Sequence, residues 1–111
     1  MDFDRDFIWR DVENHRAAAE SGAPDGYQAI VEVHLLARPT PVVVEKVETR
    51  RTQPWVLLHS YGPDGGQPAH PSDVHVFVTL AQIARIEVRY ERAGKFPPGF
   101  IVTELGDSGD A

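Results

Sequence analysis

Apolar side chains at helical spacing predict one helix over residues 3–20. One face of that helix would carry Ile8, Val12, His15 and Ala19. Trp9 falls near the opposite, water-facing side, which carries Asp6, Arg10, Glu13 and Glu20. Gly22 and Pro24 follow at positions typical of a helix end.

After the turn at residues 23–26 the apolar period changes from 3.6 to 2, which predicts strands. Five are expected, over residues 27–36, 42–47, 55–61, 74–80 and 84–91. Residues 49–54 form a polar connection, and residues 62–71 form a loop rich in Gly and Pro. Residues 80–83 contain neither Gly nor Pro and predict one short, tight turn between the last two strands.

The last part of the chain contains a charged strand face, an apolar segment and an acidic tail. The alternating series Arg85, Glu87, Arg89 and Glu91 predicts a solvated face on the fifth strand. The segment 96–102 is apolar and extended, and we expect it to pack on the barrel or on a neighbouring subunit. Residues 104–111 are acidic and predict a frayed tail.

The composition indicates one globular domain over residues 1–111, with a helix at 1–22, a β-barrel at 27–91 and an arm at 92–111. No apolar run is long enough to span a bilayer, and the acidic start does not read as a secretory signal. The chain has no cysteine, which excludes disulfides and thiolate chemistry. These features favour a cytoplasmic protein, and no cofactor is expected.

The order of one helix and five strands resembles that of Sm-like small barrels, including the bacterial RNA-chaperone branch. The resemblance is carried mainly by residues 76–86, where a strand, a single helical turn and the next strand run together. It implies a five-stranded antiparallel small barrel and a homo-oligomeric ring built by pairing of edge strands. The chain lacks the turn Gly that Sm-like proteins place between strands two and three, and an SH3-like barrel fits the same order.

Candidate recognition residues include arginines near an aromatic ring. Arg38, Arg50, Arg51 and Trp55 are the candidates for RNA binding, because Arg and aromatic groups suit single strands. The net charge of −6 opposes such binding. Candidates for a protein interface are Trp9, Phe96, Phe100, Ile101 and Val102.

A metal-binding site is one hypothesis for the clustered histidine and acidic residues. His70, Asp73 and His75 lie within six residues, although their spacing matches no standard metal motif. His34 beside Glu32 and His59 beside Trp55 are expected to be half-buried, hydrogen-bonded histidines. No Gly-x-Ser-x-Gly elbow or phosphate-binding loop is present, and no catalytic residue is assigned.

The sequence therefore favours a non-enzymatic protein-interaction module that self-associates. An Sm-like RNA-binding protein and a small-molecule or metal-binding barrel remain as alternatives. No membrane partner is expected.

Overall fold

The computed structural model describes residues 5–50, 52–60, 74–96 and 99–105. Helix α1 covers Arg5–Ser21 and is followed by strands β1 (Tyr27–Leu35), β2 (Val42–Arg50) and β3 (Trp55–Ser60). Strand β4 (Val74–Thr79) leads through a 3₁₀ helix at Leu80–Gln82 into β5 (Ile83–Arg92), and β6 covers Ile101–Leu105. The helix, the five expected strands and the tight turn before β5 are confirmed. Strand β6 was not predicted.

Five of the strands form a curled sheet in the order β4-β3-β2-β1-β5, and neighbours in this order pair antiparallel. Within the described residues, β4 pairs only with β3 and β5 pairs only with β1, so the half-barrel is open at these two edges. The predicted class, mainly β with one N-terminal helix, is confirmed at this level.

Strand β2 shares one of its edges between two partners. Its first part, at Val42–Val44, pairs with β1, and its second part, at Lys46–Arg50, pairs with β6 in parallel. The register against β3 shifts between Val44 and Lys46, so Glu45 lies in a β-bulge. Thr49 and Arg50, predicted to begin a polar connection, instead continue β2, because Thr49 pairs with β3 and both residues pair with β6, a strand that the sequence pattern does not reveal.

The core lies on the inner, concave face of the sheet. It contains Trp9 from α1, Phe100 from the chain before β6, and alternate residues of β1, β2, β3 and β4. Trp9 is fully buried, so its predicted position near the water-facing side is wrong. His15, predicted on the buried face, is exposed.

The helix face against the sheet is rotated from the predicted one: Val12 still packs against the core, but Trp9 is buried there and two glutamates bind backbone amides. Glu20 Oε1 accepts a hydrogen bond from the Ala29 N–H at 3.0 Å, and Glu13 Oε2 accepts one from the Val102 N–H at 3.2 Å. Glu13 and Glu20 were predicted to face water. Their carboxylates instead satisfy backbone donors on β1 and β6, on the side of the helix that also carries Trp9.

The C-terminal arm packs on both faces of its own sheet. Phe96 is buried on the outer face against Ile30 and Val43, whereas Phe100 is buried on the inner face. The Gln28 side chain donates to the Phe96 carbonyl at 3.2 Å and accepts from the Phe96 N–H at 3.4 Å. The expectation that this segment packs on the sheet is confirmed for these two rings.

Among the described residues, no helix has the length and apolar character needed to cross a bilayer.

Candidate binding face

The outer face of β2, β3 and β4 carries side chains in cross-strand rows. Leu57 stands between Glu48 on β2 and Phe77 on β4, and His59 stands between Lys46 and His75. The alternate residues of β3, which are Val56, Leu58 and Ser60, are buried on the inner side. We call the outer-face residues Trp55, Leu57, His59, His75 and Phe77 the aromatic half of the sheet.

An aromatic pair dominates this half. The Trp55 and Phe77 rings meet edge to face, with centroids 5.0 Å apart and an interplanar angle of 85°. Phe77 remains 59% exposed even with this contact. The two rings line a groove of about 440 Å³ together with Leu57, Glu48 and Arg50. An apolar floor between a carboxylate and a guanidinium suits a ligand with both flat apolar and polar parts.

A polar row borders the groove. His59 Nε2 and Glu48 Oε2 are 2.6 Å apart, and the His59 ring meets the His75 ring at a centroid distance of 4.5 Å. The hydrogen bond from His59 lowers the pKa of the Glu48 carboxyl below its ordinary value. Burial opposes this shift, and the charges of His59, Lys46 and Arg50 add to it.

The outer face of β1 and β5 has the opposite character. Glu32, buried on β1, pairs with Arg89 on β5 at 2.7 Å, and Arg89 also holds Glu91 at 3.1 Å. Arg85 pairs with Glu87, two residues away on the same strand β5. We call the outer-face residues Glu32, His34, Arg85, Glu87, Arg89 and Glu91 the charged half. The predicted charge series of β5 is present, but it lies against a buried glutamate rather than against water alone.

The candidate RNA residues separate in space. Arg50 and Trp55 line the same groove. Arg38 lies in the turn between β1 and β2, at the opposite end of β2 from Arg50. Arg51 lies outside the described residues. The structure therefore brings two of these four residues together and adds Phe77, which the sequence reading did not select.

The candidate metal residues are only partly described. His75 lies on β4 against His59, whereas His70 and Asp73 lie outside the described residues. A different set has metal-type donors in one place, namely Glu32, His34 and Glu87. The sequence alone showed that His34 and Glu32 share a strand face, but the pairing of β1 with β5 was needed to add Glu87.

The interface candidates also divide. Trp9, Phe96 and Phe100 are buried within this chain, so their rings are not available to a partner in this conformation. Ile101 is 58% exposed and Val102 is partly buried on β6. Phe77 is the most exposed of the aromatic rings, among the described residues, that the interface prediction missed. Its place in an alternating strand marks it as outward-facing, because Val76 and Val78 point to the core side.

Comparison with known proteins found no match to a protein-family model, to a curated protein or to a solved structure.

Proposed function

We propose that this protein is a non-enzymatic interaction module that self-associates along the open edge of β4. The observation that carries the proposal is that β4 combines an open edge with the 59% exposed ring of Phe77. Its six residues, VHVFVT, include no Lys, Arg, Asp, Glu or Pro.

Natural sheets protect their edges because unpaired backbone groups recruit other strands. Charged residues and Pro are the usual protection, and β5 has four charged residues on its outer face. Strand β4 has none, so a second copy of the chain can add hydrogen bonds along its edge. That pairing also covers the apolar surface around Phe77.

Two geometries of assembly fit an open edge. Pairing of β4 with β4 of another copy is self-complementary and gives a two-fold dimer, whereas pairing of β4 with β5 is head-to-tail and gives a ring. The strand order and the 3₁₀ turn between β4 and β5 support the resemblance to Sm-like and SH3-like barrels. The Sm resemblance implies a ring, whereas the charges along β5 favour the two-fold β4–β4 dimer.

The test is the solution mass by light scattering over a range of protein concentrations. The wild-type protein is expected to be a dimer or a ring, and Phe77→Lys is expected to weaken association at least about 30-fold, as loss of an interface hot spot does. Tyr27→Lys is the matched control, because Tyr27 is also an exposed aromatic residue (43%) but lies at the start of β1, three strands from β4 in the sheet. A wild-type monomer at high micromolar concentration would overturn the proposal.

RNA binding is the second candidate, favoured by the groove that holds Arg50, Trp55 and Phe77 together. Bases stack on exposed rings while arginine contacts phosphate. Binding of single-stranded RNA, followed by fluorescence anisotropy at low salt, is expected to fall in Arg50→Ala and Trp55→Ala and to persist in Arg38→Ala. If no binding occurs at low salt, this candidate is eliminated.

A further inference from the structure

Three donor groups converge in the charged half, apart from the proposed interface. Glu32 and His34 lie two residues apart on β1, so their side chains share the outer face, and Glu87 lies directly opposite Glu32 on β5. The ligand-type atoms of the three side chains all lie within 4.8 Å of one another. His34 Nε2 is 3.5 Å from Glu32 Oε1 and 3.5 Å from Glu87 Oε1.

The two carboxylates use their oxygens in the same way. Each directs its Oε2 to an arginine, Arg89 for Glu32 and Arg85 for Glu87, and each turns its Oε1 towards His34. Outer partners of this kind hold metal-binding carboxylates in position. The arginines also reduce the net charge around the cluster, so the expected affinity is moderate.

The histidine nitrogen at the centre is unsatisfied. His34 Nε2 is buried and makes no hydrogen bond of good geometry within the described residues, its nearest acceptors being the two Oε1 atoms at 3.5 Å. The imidazole side chain is only 20% exposed and that of Glu32 only 9%. A buried polar atom without a partner is costly, and two like charges directly opposite on neighbouring strands repel each other. Arg85 and Arg89 already offset part of that repulsion, and a cation bound between the three groups would offset the rest and give the imidazole nitrogen a partner.

The spacing suits a tetrahedral ion. Two metal–ligand bonds of about 2.0–2.2 Å at the tetrahedral angle separate their donor atoms by about 3.3–3.6 Å. Both distances from His34 Nε2 fall in that range. An imidazole nitrogen with two carboxylate oxygens favours a first-row transition metal over Mg²⁺ or Ca²⁺, which prefer oxygen alone.

We propose that Glu32, His34 and Glu87 form a binding site for a divalent transition-metal ion of the zinc type. Glu87 is partly exposed, which leaves the remaining coordination position on the solvent side. Three protein ligands with one open position are the arrangement of zinc sites that bind a water or a small ligand.

Calorimetry of the full chain, stripped of metal with a chelator, tests the site with Zn²⁺, and with Mg²⁺ for comparison. One Zn²⁺ per chain is expected, with Co²⁺ giving the visible absorption of a tetrahedral centre. His34→Gln and Glu87→Gln are each expected to lower Zn²⁺ affinity at least about tenfold. That is the lower limit for loss of a group that only supports a metal ligand, and loss of a ligand itself should cost no less. Glu87→Gln alters a side chain that is 39% exposed, so it tests the site even if His34→Gln does not fold.

The matched control is His59→Gln, because His59 is also paired with a glutamate on the outer face but belongs to the aromatic half. This variant is expected to bind Zn²⁺ like the wild type. Absence of Zn²⁺ binding would overturn the proposal. Unchanged binding in both His34→Gln and Glu87→Gln, or equal loss in His59→Gln, would also overturn it, because either result places the metal elsewhere.

Discussion

The two halves of the outer face differ in how their polar and apolar groups are satisfied. In the charged half, Arg89 on β5 binds Glu32 across the strand pair and Glu91 on its own strand, so these side chains protect an otherwise open edge. In the aromatic half, the apolar Phe77 lies on an open edge strand that carries no charge. The contrast teaches that an open edge is not enough to indicate association. The edge without charged protection is the one expected to recruit a partner.

The largest expected effect tests whether the two halves depend on one core. Trp9→Ala should lower the free energy of unfolding by about 3–5 kcal/mol, because it empties a fully buried site beneath the sheet. Urea unfolding followed by far-UV circular dichroism and by Trp55 fluorescence gives the two readouts. Coincident transitions are expected, since both halves share the inner core.

Trp9→Phe is the control for this prediction. It retains a ring and removes an indole N–H that is buried without a hydrogen bond to the described residues, so the loss should be clearly smaller. Two separate transitions in Trp9→Ala would show that the halves unfold independently and would contradict a shared core.

The second prediction disrupts the charged half alone. Glu32→Gln should cost about 1.5–3 kcal/mol, because it removes a charge-assisted hydrogen bond at a buried carboxylate, and the partial exposure of Arg89 favours the lower end. Urea unfolding of Glu32→Gln, Arg89→Ala and the double variant measures the coupling. The solution mass should stay as in wild type, since the change leaves β4 intact.

An additive double variant would mean that Glu32 and Arg89 do not stabilise each other. A change in solution mass would mean that the two halves are not separate surfaces.

The sequence predicted the strands better than the helix face, for physical reasons. Strand β3 alternates cleanly because Val56 and Leu58 face the core while Trp55 and Leu57 do not. The helix does not, because Glu13 and Glu20 bind backbone amides on its buried side, and a polar residue at such a position reads as solvent-facing.

Features that depend on distant pairing could not be read from the sequence. Strand β6 is short and pairs in parallel with a β2 edge that β1 vacates. The cluster of Glu32, His34 and Glu87 depends on the β1–β5 register, which places residues 55 positions apart in sequence directly opposite each other. The groove beside Phe77 likewise required the β3–β4 register.

The smallest expected effect compares Glu48, which borders the aromatic half, with Glu87 of the charged half as a function of pH. His59 lowers the pKa of folded Glu48 below the ordinary value of 4.5, so the ionised form stabilises the fold above that pH. The stabilisation is lost as pH falls through the lowered pKa. Glu48→Gln should therefore be less stable than wild type by about 1 kcal/mol at neutral pH, and this difference should shrink below about pH 5. Urea unfolding across this pH range measures this difference.

Glu87→Gln is the comparison from the charged half, because the Arg85 hydrogen bond lowers the pKa of Glu87 in the same direction at a more exposed site. Solvent screening there predicts a weaker pH-dependent difference than for Glu48. If the difference between wild type and Glu48→Gln were constant with pH, the contact of Glu48 with His59 would stabilise the aromatic half through packing rather than through charge.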